Sequence, residues 1–125
     1  MPARTGFLHA GGRRLEYAWH GPPPGGAPTL VFLHEGLGCV SLWRDFPARL
    51  AEATGCGALV YSRAGYGRSD PVPLPLPVRF MHDEGLAAGP VETAVLPGVG
   101  HSPHRDAPDA TLEAMARFVA AIRDA

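Results

Sequence analysis

The sequence has no lysine: all 11 basic side chains among its 125 residues are arginine. With abundant Ala, Gly and Pro, that bias reads as the codon usage of a GC-rich bacterial genome. The arginines face 12 acidic residues, and the net charge of −1 is too small to build a field for nucleic acid or an anionic membrane. Cysteine is scarce. Cys39 and Cys56 are too few for a disulfide framework and read as reduced thiols of a cytoplasmic protein. No stretch reaches the roughly 18 apolar residues of a membrane span, and Met1 to Leu8 lack the apolar run of a signal peptide. What is there, 46% hydrophobic and 18% charged, is the composition of one globular domain.

The pattern along the chain alternates strands and helices. Phe7-Leu8 and Arg14 to Trp19 are predicted as short strands around a turn at Gly11-Gly12, with Leu15, Tyr17 and Trp19 on one face. The Pro/Gly loop from Gly21 to Pro28 is neither helix nor inner strand. Thr29 to Leu33 reads as a strand buried on both faces, ending at the turn His34-Glu35-Gly36-Leu37-Gly38. Leu42 to Ala53 puts Leu42, Phe46, Leu50 and Ala53 on one helical stripe, with Pro47 in its first turn. Ala58 to Tyr61 is another strand, followed by the turn Gly65-Tyr66-Gly67, and Pro71 to Pro77 is extended. Val91 to Leu96 is predicted as the last strand. A loop carrying His101, His104 and Asp106 then leads to a helix from about Asp109 to Arg123, with Leu112, Met115, Val119 and Ile122 inward. Strand–helix–strand followed by strand–helix is a parallel α/β pattern.

Three segments, in this order, resemble the α/β-hydrolase family. Leu30 to Leu33 running into His34-Glu35-Gly36-Leu37-Gly38 is similar to its oxyanion-hole loop. Tyr61 to Asp70 is similar to its Gly-x-Gly-x-Ser turn, and Val95 to Ser102 to the loop that carries its catalytic histidine. The resemblance implies a reduced α/β-hydrolase-like, mostly parallel sheet flanked by helices. It also implies His101 as general base and backbone amides around Gly36 and Leu37 as oxyanion donors. Such domains run to roughly 200–250 residues. Between Met81 and Val91 there is no room for the nucleophile strand, cap and acid. The chain therefore reads as one internally truncated domain, its N-terminal portion being 1–84 and its C-terminal strand, His loop and helix 85–125.

That gap decides the chemistry. A nucleophile elbow needs Gly-x-Ser-x-Gly, and none of the four serines fits; Ser102 comes nearest, with His104 in place of the last glycine. Hydrolysis of a small ester or phosphoester by metal-bound water is the leading expectation. Zinc or a similar divalent cation would be held by His34, Glu35, His101 and His104, with Glu35 as ligand or base. Two alternatives stand beside it: an inactive remnant serving as scaffold or binding module, and a metal-free esterase using Ser102 or Cys39. Asp70, Asp83 and Asp106 are each candidates to hold an imidazole. His9, His20 and His82 read as solvated, and Trp43 and Phe46 as core. Removing the middle of the domain would leave the Leu30 to Leu33 strand without a neighbour. A homodimer, with or without exchange of the C-terminal strand–helix unit, is therefore expected.

Overall fold

The computed structural model describes residues 3–34, 38–72 and 94–123. Glu35, Gly36 and Leu37, and the expected break with His82 and Asp83, lie outside them. Strands β1 (Arg4–Ala10) and β2 (Arg13–His20) form a hairpin whose turn, Gly11-Gly12, has φ of 58° and 75°. Two successive positive φ values make the primed turn that matches strand twist. β3 (Thr29–Phe32) and β4 (Gly57–Tyr61) complete a four-stranded sheet of order β1-β2-β4-β3. The sheet is mixed: β3 runs parallel to β4, and the hairpin joins the other side of β4 through antiparallel β2.

The predicted helix from Leu42 is interrupted. Val40–Trp43 form a 3₁₀ turn that ends at Arg44, whose φ of 53° cannot belong to a right-handed helix. α1 starts afresh at Phe46, with Pro47 where no intrahelical donor is lost, and runs to Thr54. Gly55 stops it in the left-handed conformation (φ 70°) and donates its N–H to Ala51 O. Beyond the second gap lie a four-residue helix, α2 (Pro103–Asp106), and α3 (Pro108–Arg123). Of the predicted last strand, residues 91–93 lie outside the described residues. Residues 94–96 are in no strand, and Val95 is 83% exposed.

One face of the sheet makes the core. Ala18 and Val60 pair across β2 and β4, and Leu30 and Phe32 pair with Ala58 and Val60 across β3 and β4, so these side chains share a face. The alanines let α1 approach closely, and Phe46, Leu50 and Ala51 fill the space above them. Leu112 and Ala116 of α3 pack against the same cluster. Of the stripe predicted on α3, Val119 is buried, whereas Met115 and Ile122 are exposed.

A polar network locks the first half of β2 to the carboxyl end of β4 and the turn that follows it. Glu16 lies on the core-facing side of β2, two residues from buried Ala18. Its Oε1 accepts the Ser62 hydroxyl at 2.7 Å and the Arg68 N–H at 3.1 Å. Ser62, fully buried, accepts the Val40 N–H at 2.9 Å. Ser69 donates to Ser62 O and accepts the Glu16 N–H. Gly67 (φ 52°) closes this turn, and a Cβ there would collide with Glu16 Oε1 and Ser62 Oγ. Replacing Glu16 with Ala strands a buried hydroxyl and is expected to cost about 2–3 kcal/mol in chemical denaturation. Because the two side chains are partners, Glu16→Ala and Ser62→Ala combined should cost clearly less than their sum.

Partial burial lowers the pKa of His20 from its ordinary value. The unfolded chain therefore binds the proton more readily, and stability falls as pH drops through the unfolded value of about 6.5 toward the lower folded value. Thermal melts between neutral and mildly acidic pH should show this loss, and His20→Gln should reduce it.

Candidate active-site cavity

β3 ends at Phe32, and the chain turns there so that His34 points inward. His34 is 2% exposed; its Nε2 accepts the Arg63 N–H at 2.9 Å, and its ring meets Tyr66 edge-on at 5.0 Å. That hydrogen bond fixes the neutral tautomer with the proton on Nδ1 and occupies the Nε2 lone pair a metal would need. The buried histidine thus ties the end of β3 to the turn after β4.

A cavity of about 270 Å³ opens beside it, lined by His34, Gly38, Cys39, His101, Ser102 and His104 together with apolar side chains such as Leu42 and Met115. The loops after β3 and before α2 therefore meet, as the family resemblance implied. Hydrogen bonds hold the second loop in place. Ser102 O accepts the N–H groups of Arg105 and Asp106, and Thr111 of α3 donates its hydroxyl to Pro103 O at 3.0 Å and Ala107 O at 2.8 Å. His101 is exposed, and Ser102 makes no side-chain cap bond to α2. The Cys39 thiol lies 3.2 Å from the Ser41 hydroxyl.

Three carboxylates were candidates to orient His101. Asp70 is committed elsewhere: it accepts the Arg14 N–H at 2.7 Å and faces the Arg14 guanidinium. Asp83 lies outside the described residues. Asp106 folds back on the His101 loop, with Oδ2 only 2.7 Å from where a Cβ on Gly100 would stand. Asp106 is thus the carboxylate at the backbone beside His101.

His104 has a different setting from the one its sequence spacing suggested. Its ring stacks at a tilt on Trp43, centroids 4.5 Å apart, and lies 5.9 Å from Phe46. Phe32 meets both Trp43 and Phe46 edge-on. His104 is the fourth ring of this cluster and fastens α2 to α1. Among the described residues no three His, Cys, Asp or Glu side chains form a group that could hold a metal ion, and Glu35 lies outside them.

Sequence reasoning passed over Glu16, Ser62 and buried Arg63. The signal for Glu16 was present: a carboxylate on the core-facing register of a strand must find donors. Nothing in the sequence paired it with Ser62, 46 residues away.

No family model matches the sequence, and no curated protein matches it at a significant level. Solved structures do resemble the fold. The haloalkane dehalogenase DatA from Agrobacterium tumefaciens C58 is similar over 63% of this chain and 25% of its own, at 26% identity and a TM-score of 0.51. A single-substitution variant of that enzyme gives 24% identity and a TM-score of 0.50 over the same shares. A Vigna radiata epoxide hydrolase variant matches 58% of this chain and 21% of its own, at 20% identity and a TM-score of 0.49. The chain has a reduced α/β-hydrolase-like fold, and the matched region spans a quarter of the dehalogenase.

If His104 works by packing, His104→Phe should fold with nearly unchanged stability, and His104→Ala should lose about 1–2 kcal/mol. Urea denaturation of both variants checks this; equal losses would contradict the packing role.

Proposed function

We propose that this chain is a small esterase-type hydrolase acting on short apolar esters, with His101 as general base and Asp106 as the group that positions it. The reading rests on one observation: one mostly apolar cavity is shared by His34, Gly38 and Cys39 from the loop after β3 and by His101 and Ser102 from the loop before α2. Its size suits a substrate of a few heavy atoms on either side of a carbonyl, and likeness to an enzyme described as a haloalkane dehalogenase favours small apolar substrates.

His101 takes a proton from a water molecule that attacks the ester carbonyl. The carbonyl becomes a tetrahedral oxyanion next to the loop containing Gly38. The imidazolium then returns the proton to the departing alkoxide, leaving acid and alcohol. Water is the nucleophile because no serine in the chain sits in Gly-x-Ser-x-Gly. Turnover should accordingly be slow, and no step needs a metal.

The locked His34 and the missing elbow favour one second reading, a module that binds the same ligands without turning them over. Hydrolysis of a short p-nitrophenyl ester separates the two. Under the esterase reading, His101→Ala lowers kcat about 100-fold or more and Asp106→Asn lowers it less, while Cys39→Ser and a chelator leave it unchanged. Ligand-induced quenching of tryptophan fluorescence without turnover would replace the esterase by the binding module. Loss of activity in Cys39→Ser would move the nucleophile to that thiol.

A further inference from the structure

The cavity that holds His101 is small. At about 270 Å³ it falls just below the roughly 300–1,000 Å³ of ordinary ligand sites. A second space adjoins it, a groove of about 670 Å³ between β3 and α3 that extends to Phe118 and Val119. Among the described residues of its lining no side chain is charged. Leu33, Trp43, Pro103, Thr111 and Met115 line both spaces. These five residues are therefore the partition between the cavity and the groove.

Three members of the partition are fixed by their partners. The Thr111 hydroxyl binds Pro103 O and Ala107 O, which holds Thr111 and Pro103 against each other. Trp43 packs on the rings of Phe32 and His104. Leu33 and Met115 remain, 43% and 37% exposed. Of these two, Met115 has the longer side chain, an unbranched thioether that adapts to the space around it. It stands on α3, which Leu112 and Ala116 hold to the core. Shortening Met115 therefore opens the partition without touching the contacts that seat the helix, and Ala keeps the helix propensity.

We propose that Met115 sets the acyl-chain length this site accepts. With the ester carbonyl beside His101, a short acyl chain ends at the Met115 side chain, and a longer one has to pass it to reach the groove. The groove is the only direction argued for the chain because its walls continue those of the cavity and carry no charge among the described residues. The proposal rests on the esterase reading for the reaction, and on the shared walls for the residue.

Hydrolysis of p-nitrophenyl butyrate and p-nitrophenyl octanoate tests this. The wild type should have the higher kcat/KM on butyrate. Each methylene fully removed from water is worth about fourfold, so Met115→Ala should raise the octanoate-to-butyrate ratio of kcat/KM about 10-fold or more. Met115→Leu, which keeps the volume, should retain the wild-type ratio. A wild type that takes octanoate as readily as butyrate overturns the proposal, and so does an unchanged ratio in Met115→Ala. If neither protein turns over any ester, the esterase reading falls and the proposal is decided by binding. Quenching of tryptophan fluorescence by n-alkanoic acids should then extend to longer acids in Met115→Ala than in the wild type. The same length dependence in both proteins, or no binding of any acid, overturns it.

Discussion

The carboxylate of Glu16 is the point on which the carboxyl end of the sheet depends. A negative oxygen this close to the core persists only if donors surround it, and they come from separate pieces of chain: the Ser62 hydroxyl and the Arg68 N–H. Through Ser62 the constraint passes to Val40 N–H, at the start of the turn beneath the cavity. One residue on, the Arg63 N–H holds His34. The loop after β3 and the turn after β4 are thereby set against each other before any ligand enters. Gly67 follows from the same demand, since Glu16 and Ser62 occupy the space its side chain would take.

The opposite requirement governs β3. Its core-facing side is satisfied: Phe32 is 5% exposed and packs against Trp43 and Phe46. Its other side chains and its outer backbone are not covered among the described residues. A parallel strand ordinarily lies inside a sheet, buried on both faces. Here it combines the sequence of an interior strand with the position of an edge. The near-continuous apolar run from Leu30 to Leu33 is thus in tension with the topology, and the exposed Met115 and Ile122 of α3 repeat the tension on the neighbouring helix.

How far the fold was legible follows from where local rules suffice. The hairpin was readable because Gly11-Gly12 leaves few alternatives to a primed turn, and the end of α1 because Gly55 adopts positive φ. Thr29 to Phe32 and Gly57 to Tyr61 declared themselves by apolar content. The break at Arg44 did not, because the apolar period continues from Leu42 through Phe46 and only the backbone changes hand. Of the predicted last strand, residues 91–93 lie outside the described residues, and in residues 94–96, which are in no strand, Val95 faces solvent. That the His34 and His101 loops would meet was implied by the resemblance to the α/β-hydrolase family, and both line one cavity. Of the three carboxylates that sequence could not rank, Asp70 is held by Arg14, Asp83 lies outside the described residues, and a four-residue helix turns Asp106 back toward Gly100.

The three histidines around the cavity are held in three different ways. Coordination requires a ring with a nitrogen lone pair free and aimed at a common point. His34 uses Nε2 to accept a backbone N–H and is sealed from solvent. His104 is held by ring faces, so its orientation is set by Trp43 and Phe46. Of the three, His101 alone is exposed. Buried His34 and half-buried His104, stacked on Trp43, both line the cavity. Under the esterase reading, proton transfer at this edge of the sheet falls to the exposed imidazole of His101.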